Sequence, residues 1–257
     1  MMRSETGCRG VALVTGGAVR IGRAITMRLA AAGYAIAIHG RPGRPEPQAL
    51  AAEISAAGGQ AIALFAELAE ADAVAALIPA ARAALGPVTL LVNNASEFHD
   101  DEVGHLDIEQ WDRHFAVNLR APVFLAQALA AGLAEDTGGA VVNLVDQRVL
   151  KPTPRFFSYG LTKSALATAT LTLAQALAPR VRLNAVAPGP TLANLRQSAE
   201  HFAQQSAAVL LGRGPTPEEI AEAVLYLAEA RSITGQILAV DGGQHLAWRT
   251  PDATGPE

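Results

Sequence analysis

Cysteine is all but missing from these 257 residues: Cys8 is the single one. No intrachain disulfide can form, and a reducing compartment fits that usage. Cys8 reads as an inert thiol in a frayed tail. Aromatic residues make up only 5% of the chain. No apolar run approaches the roughly 20 residues needed to cross a bilayer, and the first ten residues carry no apolar signal-peptide core. A net charge of −4 argues against a basic nucleic-acid surface. His39, His99, His105 and His114 show no metal-ligand spacing with cysteine or acids, so no metal site is expected. These shortages predict a soluble, cytoplasmic protein that engages neither nucleic acid nor membrane. Lysine is also scarce: of 20 Lys+Arg, only Lys151 and Lys163 are lysine.

What is present is an alternation. Short apolar runs at Val11–Val14, Ala35–Ile38, Ala61–Phe65, Val88–Val92, Ala140–Val145, Val181–Val186 and Ile237–Val240 read as buried strands. Helices are predicted over Arg20–Ala32, Gln48–Ala57, Ala71–Leu85, Ile108–Ala134 with a break near Pro122, and Ser158–Ala178. Thr216-Pro217-Glu218-Glu219 has the form of an N-cap, a first-position proline and acids in the first turn. Strict alternation of apolar strands with helices predicts an α/β fold, a parallel sheet covered on both faces. The expectation is one domain over residues 1–257, with a core of about 10–246 and disordered tails at 1–9 and 249–257.

Candidate ligand contacts follow the strand ends. Thr15-Gly16-Gly17-Ala18-Val19-Arg20-Ile21-Gly22 is a glycine-rich turn between a strand and a helix. Such a turn lets backbone approach a pyrophosphate at the helix N-terminus. Its glycines do not follow G-x-G-x-x-G, so an ordinary turn is the alternative. No acid lies between Ala35 and Pro45, whereas Arg41 and Arg44 do. An arginine there can hold the 2′-phosphate of NADP, or be a solvated loop charge. Asn93-Asn94-Ala95-Ser96 leaves room for a ribose after the fourth strand, or is a plain turn. Tyr159 and Lys163, four residues apart, share one helix face. The ammonium can favour the phenolate and lower a tyrosine pKa normally near 10, which yields a proton donor usable near neutral pH. In a chain that otherwise writes arginine, the lysine points to a site where a planar fork will not serve.

Taken together, Thr15-Gly16…Gly22, Asn93-Asn94-Ala95, Asn118, Tyr159-x-x-x-Lys163, Pro188-Gly189 and Asp241-Gly242-Gly243 resemble the short-chain dehydrogenase/reductase family over about Gly10 to Leu246. The resemblance implies a doubly wound Rossmann fold of about seven parallel strands and an enzyme that moves a hydride between NAD(P)H and a small molecule. It also implies a homotetramer paired through the helix of Tyr159. One departure is diagnostic. Thirteen residues before the tyrosine, where most members have serine, stands Asp146. The pteridine reductase branch carries aspartate there, and Arg20 and Asn94-Ala95-Ser96-Glu97-Phe98 also look like that branch.

That likeness implies NADPH as cofactor and a pterin, dihydropterin or dihydrofolate as substrate. Gly16, Arg20, Ile21 and Gly22 would line the pyrophosphate, and Arg41 the 2′-phosphate. Leu68 and Glu67, where relatives have aspartate, would meet the adenine. Asn94, Ala95, Ser96, Pro188 and Gly189, with Tyr159 and Lys163, would hold the nicotinamide half. Phe98 would stack on the pterin, and Arg20 and Ser96 would contact it. Tyr159 would pass a proton supported by a neutral Asp146, while Asn118 would hold a helix open to water. Leu192–Leu211, the lid in relatives, does not indicate the substrate. Two rival readings stay open: a carbonyl reductase or alcohol dehydrogenase of the same family, and a non-catalytic NADP(H)-sensing protein.

Overall fold

The computed structural model describes residues 9–194 and 197–249. The inert thiol at Cys8 and the disorder expected of 1–8 and 250–257 lie outside the described residues. Arg9, assigned to a tail by its polar surroundings, is instead tied down. Its N–H donates to Gly33 O at 2.9 Å and its side chain pairs with Glu229.

Seven parallel strands form one sheet in the order β3-β2-β1-β4-β5-β6-β7. They are β1 (Val11–Val14), β2 (Ala35–Gly40), β3 (Ala61–Phe65), β4 (Val88–Asn93), β5 (Gly139–Leu144), β6 (Val181–Pro188) and β7 (Ile237–Val240). Side chains alternate across each strand, and both faces are apolar. Leu13, Ala37, Leu91, Val141 and Leu183 point to one core. Val14, Ile38, Leu90, Val92 and Val142 point to the other. The first core lies under α3 (Ala71–Leu85), α5 (Ala121–Gly132) and α6 (Phe157–Leu177); the second lies under α1 (Arg20–Ala31), α2 (Glu46–Ala56) and α8 (Pro217–Glu229). The strand order reverses at β1/β4, which opens a crevice at the carboxyl ends of the strands where α/β sheets bind ligands.

Three details differ from the sequence expectation or refine it. The long helix predicted over Ile108–Ala134 does break, but not at the proline. α4 (Ile108–Phe115) passes into a π-helical turn, Ala116–Arg120, centred on Asn118, and α5 follows. Pro122 sits in the first turn of α5, where its missing N–H costs little. By length and composition Ile108–Gly132 could cross a membrane. Its α5 half instead buries Ala121, Leu125, Ala126 and Leu129 in the first core. Finally, α7 (Ala199–Ala207) lies inside the segment that gave no sequence signal. It buries no residue, so it has no apolar stripe to detect, and its start is fixed by Ser198 Oγ accepting from His201 N–H at 3.2 Å. The capping box expected before α8 is formed by Thr216 and Glu219.

Candidate active site

Two adjoining cavities open at the carboxyl end of the sheet. The smaller, of about 440 Å³, lies over β1, β2 and β4; the larger, of about 870 Å³, lies over β5 and β6. Arg20, Ile21, Asn94 and Ser96 line both.

The smaller cavity is built around the glycine turn. Gly16 has φ +59°, and a Cβ on Gly22 would lie 2.0 Å from Gly16 O and 2.6 Å from Asn94 Nδ2. Only glycine at 22 lets α1 begin this close to the strand end. Asn94 Nδ2 donates to Thr15 O and Gly16 O at 2.9 and 3.0 Å, so β4 holds the turn in place. α1 has no side-chain cap and no acid in its first turn. Its first N–H groups and the positive end of its dipole are therefore left to an anion. A pyrophosphate fits this cradle. The sequence reading weighed His39 only as a metal ligand. In the structure it is a clamp, with Nδ1 accepting from Gly16 N–H at 3.2 Å and Nε2 lying 3.1 Å from Ala66 O. Burial holds its pKa below the usual imidazole range. That keeps the ring neutral, as an accepting Nδ1 requires.

Arg41 and Arg44 line the same cavity. Arg41 is not a free loop charge, because it pairs with the buried carboxylate of Glu97. Glu97 also accepts from Arg113 Nε at 2.8 Å. Glu67 accepts from Arg113 at 3.2 Å and from Ala69 N–H at 3.3 Å. Leu68 is buried in the cavity wall. Arg113 carried no motif and Glu97 was read only as part of the Asn94–Phe98 stretch; the fold brings both to Arg41.

The larger cavity gathers Asp146, Tyr159, Lys163, Phe98, Pro188 and Gly189. α6 buries Ser158, Tyr159, Thr162, Lys163, Leu166, Ala167, Thr170 and Ala174. This i, i+4 stripe faces the sheet and places the polar pair at the mouth. α6 has no cap of its own: Phe156 precedes it at φ +56° and makes no side-chain cap bond. The cap comes from the loop after β4, where Asp101 accepts from Ser158 N–H at 3.1 and 3.2 Å and from its hydroxyl. His114 Nδ1 lies 2.6 Å from Ser158 Oγ, and His114 Nε2 accepts from His99 N–H at 3.2 Å. Asp101, Ser158 and His114 were not expected at the site, since a remote cap leaves no local spacing to read.

Tyr159 Oη donates to Asp146 Oδ2 at 2.9 Å. The same oxygen accepts from Arg148 Nη1 at 3.0 Å, and Arg148 N–H donates to Asp146 Oδ1 at 2.8 Å. Arg148 was not foreseen: its guanidinium pairs with the carboxyl for which a neutral form was expected in the productive complex. The lowered tyrosine pKa expected beside Lys163 is corrected, because burial outweighs the ammonium. Lys163 Nζ donates to Leu144 O at 2.7 Å and lies 5.8 Å from the Tyr159 ring centre. Tyr159 is pushed well above its usual pKa, first by burial and then by the Asp146 charge and hydrogen bond. Burial lowers Lys163 to about 8, against the pull of Asp146.

Asn118 is fully committed. Its Oδ1 accepts from Ser96 Oγ at 3.1 Å and Glu97 N–H at 2.8 Å, and its Nδ2 donates to Glu97 O at 2.9 Å and Thr162 Oγ1 at 3.2 Å. The π turn thus ties the 94–98 loop to α6. Phe98 stacks on Phe156 at 4.5 Å and meets Tyr159 edge-on at 4.7 Å. Arg20, at φ +53°, donates to Leu192 O and Ala193 O at 3.3 and 2.8 Å. Among the described residues, Arg20 and Phe156 are the non-glycine residues with positive φ. Both line the larger cavity, so backbone strain gathers where a ligand would sit.

A family model described as Enoyl-(Acyl carrier protein) reductase matches residues 16–245. The chain belongs to the short-chain dehydrogenase/reductase family. It is therefore an oxidoreductase, and its seven-stranded sheet is the family's Rossmann-like fold. The FolM alternative dihydrofolate reductase 1 of Brucella canis, solved complexed with NADP, is 52% identical. That match covers 98% of this chain and 99% of that one, with a TM-score of 0.93. A blue fluorescent protein from a metagenomic library, solved with NADPH, is 34% identical over 92% of this chain and 98% of its own, with a TM-score of 0.86. The 3-oxoacyl-[acyl-carrier-protein] reductase FabG of Staphylococcus aureus is 32% identical over 91% of this chain and 98% of its own.

Proposed function

We propose that this member of the family is an NADPH-dependent reductase of a pterin, dihydropterin or dihydrofolate. The observation that carries the reading is the acid beside the tyrosine. Asp146 accepts the Tyr159 hydroxyl at 2.9 Å, with the Phe98 ring edge-on to the same tyrosine. A carboxylate, a phenol and an aromatic face converging on one cavity suit a flat, nitrogen-rich ring. The 52% identity to a protein described as an alternative dihydrofolate reductase supports it.

When bound, NADPH supplies the hydride that adds to the carbon of a C=N bond. Gly16, Ile21, Gly22 and the start of α1 would hold its pyrophosphate, Arg41 its 2′-phosphate, and Lys163 its nicotinamide ribose. As hydride reaches the carbon, the Tyr159 hydroxyl turns from Asp146 to the ring nitrogen and gives up its proton. C=N becomes CH–NH, and Tyr159 is left as a phenolate. The Lys163 ammonium favours that phenolate, and solvent protons entering the larger cavity would restore the phenol. Phe98 orients the ring by stacking. The enzyme would act as one domain, cytoplasmic and homotetrameric. Leu161 and Leu171 on α6 and Phe124 on α5 are exposed, as such pairing requires.

The similarity to a 3-oxoacyl reductase favours a second reading, reduction of a ketone. On the lid side the larger cavity offers both the polar Asn194, Gln197, His201 and Gln205 and the apolar Leu192 and Phe202, so it supplies hydrogen-bond partners for a polar ring as well as apolar contact. The deciding experiment is NADPH oxidation with dihydrobiopterin, dihydromonapterin, dihydrofolate and a panel of small ketones. Turnover of a dihydropterin or dihydrofolate that falls about 10²–10⁴-fold in Tyr159→Phe, with NADPH still bound, is expected. Turnover of ketones alone would select the second reading.

A further inference from the structure

We infer that Arg148 is a positioning residue whose charge cancels that of Asp146, so that Tyr159 works beside an electrically neutral pair. The inference rests on the reading of Tyr159 as the proton donor.

The geometry is specific. Arg148 Nη1 lies 3.0 Å from Asp146 Oδ2, the oxygen that also accepts the tyrosine hydroxyl. The backbone N–H of Arg148 holds the other oxygen at 2.8 Å. One residue therefore fixes both oxygens of the acid. The guanidinium is itself fixed, with its centre 5.0 Å from the Phe156 ring centre and 5.8 Å from that of Phe98. Guanidinium over an aromatic face is an attractive arrangement that limits its freedom. Its side chain is only 20% exposed, and that of Asp146 15%. Among the described residues no second carboxylate pairs with Arg148, and its Nε is buried without a partner. Asp146 is its counter-ion.

The charges around the phenol show why this matters. Asp146 and Arg148 face Tyr159 from the turn after β5, Lys163 from its own helix, and the His114 ring from α4 at 6.4 Å. Giving up a proton makes Tyr159 an anion. An uncompensated carboxylate 2.9 Å away would oppose that step, and Lys163 would have two anions to serve. With Arg148 in place, the ammonium meets one. Arg148 is also the group that opposes the upward push on the tyrosine.

The test is a double-mutant cycle on Asp146→Ser and Arg148→Gln, with kcat, KM and NADPH affinity measured across pH. Arg148→Gln alone should lower kcat at least about tenfold and move the basic limb of the kcat profile up by about one pH unit or more. NADPH affinity should be unchanged. In the double variant, Asp146→Ser should recover kcat relative to Arg148→Gln, because no carboxylate is left to neutralise. Arg148→Lys, which keeps the charge, should keep the basic limb near its normal position. Losses that multiply in the double variant, a fixed basic limb, or Arg148→Lys behaving like Arg148→Gln would each overturn the inference. If Arg148→Gln does not fold, Arg148→Lys, and the double variant measured against Asp146→Ser alone, which it should match, still decide it. Near-normal turnover of Tyr159→Phe would instead remove the proton-donor reading, a separate failure.

Discussion

Lys163→Met should reveal how much stability the fold gives up to bury an ammonium at the site. Lys163 is 2% exposed, with Nζ held by Leu144 O at 2.7 Å. Burial lowers it from 10.5 to about 8. At about 1.4 kcal/mol per pH unit, that fall corresponds to about 3 kcal/mol of cost to folding. The sign follows from proton linkage. Below pH 8 the lysine is protonated both folded and unfolded, and the full cost is present. Between 8 and 10.5 the folded chain has released a proton that the unfolded chain retains, so stability from this group rises with pH. Above 10.5 the cost is gone. Methionine keeps the volume and removes the charge. It also leaves the Leu144 carbonyl without this donor, a loss of about 1–3 kcal/mol that does not depend on pH. The difference in unfolding free energy between variant and parent should therefore move by about 3 kcal/mol in the parent's favour between about pH 7 and about pH 11. Urea denaturation at fixed protein concentration measures it. Parallel curves for the two proteins would refute the reasoning. Turnover should be lost in the variant at every pH.

Three further outcomes are expected. Arg41→Ala should raise KM for NADPH roughly tenfold while leaving NADH use nearly untouched, since the half-exposed guanidinium is discounted for solvent; comparable losses with both cofactors in steady-state kinetics would count against the phosphate role. Gly22→Ala drives a Cβ to 2.0 Å from Gly16 O, so NADPH binding followed by fluorescence should be lost, and retained binding would show that the turn is not the cradle. Asp101→Ala leaves the start of α6 uncapped; a loss of about 1–3 kcal/mol, read as ~2–4 °C in Tm for each kcal/mol, should accompany a lower kcat, whereas an unchanged Tm would mean that water replaces the cap.

The sheet was legible in the sequence because its strands are apolar on both faces. Every predicted strand, from Val11–Val14 to Ile237–Val240, falls on an observed one. Tyr159 and Lys163 could be singled out because they share a helix face, and Asp146 because the resemblance to the pteridine reductase branch marks it where most members have serine. Arg148 could not, although it is two residues from Asp146. Nothing in its spacing says that its side chain folds back over Phe156. The partners of His39, Glu97, Asp101 and His114 were hidden for a related reason. Each acts on a partner at least 15 residues away, across a loop or a crossover. α7 was missed because a helix that buries nothing leaves no periodic trace. The direction of the Tyr159 shift was misjudged because a one-dimensional reading counts the lysine four residues on and cannot count burial.

The loop after β4 has a consequence for how this protein can change over evolutionary time. Within eight residues, Asn94 braces the glycine turn, Ser96 and Glu97 bond to Asn118, Phe98 lies against Tyr159, and Asp101 caps α6. Inserting or deleting one residue would put all of these contacts out of step at once. New substrate preferences can therefore arise here only by exchange of one side chain for another at constant length. Helix α7 is free of that restriction: it buries nothing, and its length and path can drift while the reaction centre stays in register.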